Sequence, residues 1–264
     1  MGRPPLNPTG PMTAAELSAR HYARKRKSIN RRRRTKYKIA VESETRKEKR
    51  ARRAENLNGV ARRTQAAMAA LGSPDMPLCN LITIDIPWPH ENFSVETGSD
   101  RSSDNHYAPM TWDEIEEAFG PKIPAAPDCM LMLWVPRPLV VKASILLDKW
   151  KWDWKRTTEM IWLKMQPNHP DKIKSGTGKR LVDQHETILI AVRGNIPPAL
   201  PLWPSVLVAP VGEHSEKPKL LMEMIDRDYG PELTRIEMFA RPPFDRRGWH
   251  YWGDAVPGGL MYAG

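Results

Sequence analysis

Cysteine is nearly absent. Cys79 and Cys129 stand apart from each other and from any Cys/His spacing, which excludes a disulfide framework and a structural zinc site and points to a reducing compartment. Long apolar runs are missing too: none approaches the roughly 18 residues of a membrane span, and the N-terminus is Pro-rich and then basic, without an apolar signal core. The expectation is a soluble, intracellular, cytoplasmic protein with no membrane partner. The seven histidines are dispersed, and position 189 after His185-Glu186 holds Leu189 rather than a second histidine, so no metal ligand is assigned. No Gly-x-Ser-x-Gly elbow occurs. The stretch from Ser175 to Lys179 has the look of a phosphate loop, but its first glycine would fall on Ile173 and Arg180 follows the lysine.

What the sequence has in excess is positive charge, and the excess is one-sided. Of 264 residues, 1–70 hold 20 Lys and Arg against 5 Asp and Glu, leaving 21 against 26 for the rest. A cationic arm is therefore attached to a mildly acidic body. Such an arm suits a polyanion, because contacts to phosphates release condensed counterions and give affinity without reading sequence. Nucleic acid is the expected partner, with Arg31, Arg32, Arg33, Arg34 and Lys36 as contacts.

Residues 1–12 are rich in Gly and Pro. Thr13 and Glu16 then have capping-box spacing, which predicts a helix from Ala14. A second helical stretch, ending in "AAMAAL", could dock on the body through Met68 to Leu71 or stay loose until nucleic acid neutralises it. Residues 1–72 thus read as a basic extension, partly helical or disordered, and 73–264 as the folded domain. Beyond Gly72-Ser73-Pro74 strands and helices alternate. Strands are expected at Leu81–Asp85, Cys129–Val135, "TTEMIWLK", "ETILIAV", "SVLVAP" and finally "RIEMFA", with helices at "MTWDEIEEAF" capped by Thr111, at "PLVVKASILLDKW" and from Pro218 to about Asp228. Strands apolar on both faces argue for an α/β fold, a mostly parallel sheet covered by helices on both faces. The 165–184 loop, with Gly176, Gly178 and several basic residues, is either a mobile lid over substrate or a long surface loop.

The stretch "IDIPWP", Ile84 to Pro89, puts a carboxylate at the carboxyl end of a buried strand, where α/β folds hold ligands, and Pro87 forces the chain to turn. It reads equally as a capped strand end or as a pocket for a flat amine. In the second reading Asp85 and a main-chain carbonyl accept both N–H groups of an exocyclic amine such as adenine N6, and Trp88 stacks on the base, a contact worth about 1–3 kcal/mol.

"IDIPW" closely resembles the Asp-Pro-Pro-Trp motif of the MT-A70 family of S-adenosylmethionine-dependent adenine N6-methyltransferases, and further segments follow that family in order. "HYAPMTWDEI" (106–115) is similar to its Tyr-x-Thr-Met-Ser segment, "LMLWV" (131–135) to its Leu-Phe-Leu-Trp-Val strand and "EMIWLK" (159–164) to its Glu-x-x-Trp-x-Lys strand. "HETILIAVRGN" (185–195), "HSEKP" (214–218), "IEMFAR" (236–241) and "GWHYWGDAV" (248–256) continue the register, so the resemblance spans about 78–256.

The resemblance implies a Rossmann-like methyltransferase domain over 73–264 with S-adenosylmethionine as cofactor. Asp85 and the Ile86 carbonyl would accept from the target amine, with Pro87 shaping the turn and Trp88 packing at the base. Lys217, Glu237, Phe239, Arg241 and Asp254 fall on positions that hold the cofactor. Asp254 stands where the family usually has Asn and lacks that amide's two donors; Pro243 and Phe244 replace polar residues, so the contacts at these two positions do not transfer. The resemblance implies adenine N6 methylation of nucleic acid; with the basic arm as an anchor, DNA is expected ahead of RNA, and Lys179 and Arg180 on the basic 165–184 loop are expected as further contacts. Its alternatives are an RNA methyltransferase and a non-catalytic partner subunit, and assembly as a homodimer or with a paralogous subunit.

Overall fold

The computed structural model describes residues 13–42, 55, 58–59, 62–89, 110–150, 155–176, 180–212 and 216–264. His106, Lys179 and His214, each within a stretch singled out above, lie outside them, as does the side chain of Lys36. The chain divides into two compact units, Met1–Glu55 and Asn56–Gly264.

The first unit carries helix α1, Ala14–Glu42. It opens as its spacing predicts: the Thr13 hydroxyl accepts from the Glu16 N–H at 3.3 Å, and the Glu16 carboxylate accepts from the Thr13 N–H at 2.8 Å. Arg31 to Arg34 are all exposed.

In the second unit residues 62–70 form helix α2, closed by Gly72 in the left-handed region at φ 79°. Ala67 and Leu71 are buried in the core, with Met68 and Ala70 packed beside them. Of the two behaviours open to this stretch, it docks. The Trp252 indole donates to the Ala67 carbonyl at 2.7 Å, and a Cβ on Gly259 would come within 3.0 Å of Ala67 Cα.

Among the described residues nine strands form one sheet: β1 Cys79–Ile84, β2 Ala125–Pro136, β3 Lys155–Gln166, β4 His169–Ile173, β5 His185–Arg193, β6 Val206–Pro210, β7 Arg235–Met238, β8 Trp249–Trp252 and β9 Leu260–Ala263. Their order is β4-β3-β5-β2-β1-β7-β8-β9, with β6 also paired to β3. Helices α3 Trp112–Phe119 and α4 Val140–Lys149 pack with α2 on one face, and α5 Lys219–Asp228 packs on the other. Thr111 caps α3 in a full capping box, as expected. Among the described residues, no helix is long and apolar enough to cross a membrane.

The sheet is mixed, which corrects the expectation of a mostly parallel one. Strand β1 runs parallel to β2 and β7, and β7 to β8, but β5 lies antiparallel to both β2 and β3. The cause is connectivity: β3 leads to β5 through β4 with no crossover helix, and a chain returning that way can only pair antiparallel. Apolar residues on both strand faces reflect cover by helices on both sides, whatever the strand direction. "RIEMFA" is not the final strand either, since β8 and β9 extend the sheet beyond it. The 165–184 segment is not a bare loop, because β4 occupies its middle.

Candidate active site

Strand register builds the floor of the site. Thr83 on β1 pairs with Glu237 on β7, which pairs with Tyr251 on β8, so three polar side chains lie in one row on the α5 face. Two residues further along, past the carboxyl ends of β1 and β7, come Asp85 and Phe239. Together with Trp134, Lys217, Leu221, Met222, Arg241 and Arg246 these residues line a cleft of about 360 Å³, a size suited to a small ligand. The Thr83 hydroxyl is buried and has no hydrogen-bond partner among the described residues.

The turn after β1 is tight. The Trp88 N–H donates to the Ile86 carbonyl at 2.8 Å across Pro87, a three-residue turn, and the Met110 N–H donates to the Pro87 carbonyl at 2.9 Å. Trp88 itself is 4% exposed. Its indole donates to the Trp134 carbonyl at 2.8 Å and packs against Trp112 at 5.5 Å, so it pins the turn to β2 and does not line the cleft.

Asp85 lies in an alternating chain of charge. Lys217 Nζ is 2.8 Å from Asp85 Oδ2 and 3.2 Å from Glu186 Oε2, and Lys164 Nζ is 2.5 Å from Glu186 Oε1. Burial pushes the Asp85 carboxyl above its usual range, Lys217 opposing and Glu186 reinforcing. Burial alone would lift Glu186 as well, but it holds two lysines and stays down at about 2. Burial disfavours charge on Lys217, yet the two carboxylates win and raise its pKa above the ordinary lysine value. With its side chain 32% exposed, Asp85 remains reachable from the cleft.

Glu237 differs from both. Burial first, then the nearby Asp85 charge, raise its pKa to about 7, with Arg246 and Lys217 opposing. No hydrogen-bond donor among the described residues reaches its carboxylate. Phe239 follows at φ 61°, a left-handed conformation uncommon for a side chain of its size, wedged against Trp252 at 5.0 Å and Phe119 at 5.3 Å. Arg241 reaches the cleft and is gripped from behind by Asp254, Nη1 to Oδ1 at 2.8 Å. Asp254 is buried and does not line the cleft.

Of the residues singled out from sequence, the fold brings Asp85, Lys217, Glu237, Phe239 and Arg241 to one cleft. Ile86, Pro87 and Trp88 form the buried turn that follows Asp85 and do not line the cleft, and Asp254 supports Arg241. Arg180 is exposed on the 165–184 segment, where Arg137 bridges to Asp183 at 2.6 Å. Glu186, Lys164 and Arg246 had not been assigned to the site. Glu186 and Lys164 sat inside quoted strand motifs, and the signal that could have found them is strand direction.

A mixed sheet flanked by helices, with charged side chains grouped in a cleft beyond the carboxyl ends of adjacent parallel strands, defines an α/β domain whose cleft lies where such folds hold ligands. The chain belongs to the MT-A70 family, whose model matches residues 79–255. It is 28% identical over 152 residues to an N(6)-adenosine-methyltransferase MT-A70-like protein of Arabidopsis thaliana, covering 58% of this chain and 22% of that one. A probable N(6)-adenosine-methyltransferase MT-A70-like protein of Oryza sativa subsp. japonica is also 28% identical over 152 residues, covering 58% and 21%. A putative one of Medicago truncatula is 26% identical over 129 residues, covering 49% and 20%. The match spans about a fifth of the length of these relatives.

Proposed function

We propose that the protein is an adenine N6-methyltransferase that takes its methyl group from S-adenosylmethionine and acts on DNA. The observation that carries the reading is the cleft itself, where Asp85, Lys217 and Glu237 meet within the family match. When bound, the cofactor supplies an electrophilic methyl carbon. The residues fit such a group: Glu237 is a carboxylate without a donor, suited to a ribose diol, and Lys217 and Arg241 offer cations to a carboxylate.

The chain's own groups then handle the target base. Asp85 accepts one N6 hydrogen. The Ile86 carbonyl already accepts from Trp88 and keeps a second lone pair for the other. Drawing both hydrogens onto fixed acceptors holds the nitrogen in place and favours its lone pair as nucleophile. Isoleucine in place of the family's first proline keeps the carbonyl and removes only ring rigidity. Lys217, half-buried and charged, keeps Asp85 aimed.

DNA is favoured because a net-positive arm at the N-terminal end suits a long polyanion. RNA is the second reading, and the relatives' names, which specify adenosine, favour it. Incubation with labelled S-adenosylmethionine and mixed nucleic acid, then digestion to nucleosides, is expected to place label in N6-methyldeoxyadenosine. Label confined to N6-methyladenosine would replace DNA by RNA, and no transfer together with no cofactor binding by calorimetry would leave a binding subunit.

Glu237 sets a pH dependence. A diol donates to a carboxylate, so the ionised form binds. With the free carboxyl near 7, cofactor affinity is expected to rise about tenfold per pH unit below 7 and level off above it. Glu237→Gln should bind more weakly and flatten the profile. A wild-type Kd unchanged between pH 6 and 8 would remove Glu237 from the contact.

A further inference from the structure

Helix α1 carries 11 Lys and Arg against two Glu along its 29 residues, and every one of its described side chains is exposed. The charge does not fall on one face. At about 100° per residue, Arg24 and Arg31 share one direction, Lys25 and Arg32 another, and Arg26 and Arg33 a third. The consecutive arginines Arg31 to Arg34 encircle the helix by themselves. A helix that settles on a flat anionic surface needs cations along one stripe and wastes the rest. Cations on all sides suit an environment with phosphates on both flanks.

The same charges disfavour the helix in isolation, since pairs such as Arg20 and Arg24 lie one turn apart with like sign. The helix therefore gains most where several faces are neutralised together. At about 1.5 Å per residue α1 is about 43 Å long, more than a turn of duplex. The major groove of B-form DNA is about 12 Å wide and admits one α-helix between two phosphate rails, whereas the A-form groove of duplex RNA is deep and too narrow.

We infer that α1 inserts lengthwise into the major groove of duplex DNA, its cations meeting phosphates on both walls. The inference rests on the nucleic-acid reading of the arm and adds to it the groove and the helical form. Backbone contacts of this kind carry no sequence information, so α1 anchors the protein without choosing the site.

The test uses the full chain and three double variants, Arg24→Gln with Arg31→Gln, Lys25→Gln with Arg32→Gln, and Arg26→Gln with Arg33→Gln. Glutamine keeps helix propensity while removing charge. Affinity for a 30-base-pair DNA duplex is measured against salt, with duplex RNA of the same sequence alongside. At least two of the three pairs are expected to lower the slope of log K against log salt by about 1.8, two contacts at about 0.9 each. DNA should bind at least about tenfold tighter than RNA, and guanine N7 atoms, which lie in the major groove, should be protected from dimethyl sulfate. A slope change in one pair only would put α1 on the surface by a single face and overturn insertion. Equal affinity for the two duplexes, or unprotected N7, would do the same. Methyl transfer is scored separately by nucleoside digestion, so a protein that methylates RNA yet shows N7 protection on DNA would lose the substrate reading and keep this one.

Discussion

Asp85→Asn is expected to lower the rate of methyl transfer about 10²–10³-fold in a single-turnover assay, the scale on which a group that acts in the transition state is lost. The amide puts N–H groups where an acceptor is needed and gives up the ionic contact to Lys217 at 2.8 Å. The protein should nonetheless fold. Lys217 keeps Glu186 at 3.2 Å, so the substitution does not strand a buried charge, the situation that makes breaking an ion pair costly. Glu186→Gln makes the contrast, since it weakens the hold on both Lys217 and Lys164 and is expected to lower melting temperature more than Asp85→Asn does. Wild-type turnover in Asp85→Asn would sink the proposed chemistry.

Removing residues 1–72 is expected to damage the second unit far more than removing 1–55. The shorter deletion takes away only the unit that carries α1, so melting temperature and cofactor affinity should hold while affinity for nucleic acid falls. The longer one removes α2. Leu71 and Ala67 leave the core, a loss of about 2–3 kcal/mol on burial alone. The Trp252 indole loses the Ala67 carbonyl, and a buried donor left without its acceptor costs about 1–3 kcal/mol more. At about 2–4 °C per kcal/mol for a domain of this size, the melting temperature should drop by about 6–24 °C. Cofactor affinity should fall with it, because Trp252 packs on Phe239, which lines the cleft. Equal melting curves for the two truncations would show that α2 is dispensable.

Local signals in the sequence suffice where short-range chemistry determines the outcome. Capping boxes at Thr13 and Thr111 start helices where their spacing says, because two amides are satisfied within four residues whatever the rest of the chain does. The apolar cores of β1, β2, β3 and β5 stood out by length and composition. Strand direction did not, since it depends on how the chain returns, and that is a property of the whole connection. The cost fell on the site. In a parallel sheet Glu186, at the start of β5, would lie at the edge opposite Asp85; in the antiparallel arrangement it pairs with Pro136 at the end of β2 and arrives beside Lys217. Strands β4, β8 and β9 escaped notice because four- or five-residue runs carry too little period to register. Trp88 was expected at the base and is found beneath the turn, because an indole that can reach a buried carbonyl is stabilised more by that bond than by an open face.

Asp254 was the clearest departure from the family pattern, a carboxylate where an amide is usual. An acceptor-only side chain is a poor direct partner for an anionic ligand group, but it is a good one for a guanidinium. Held by a rigid, buried anion, Arg241 points into the cleft before anything binds, and the entropy of ordering a long flexible side chain is lost during folding rather than at the moment of capture. Asp254 thus acts on the cleft only through Arg241, one layer behind its lining.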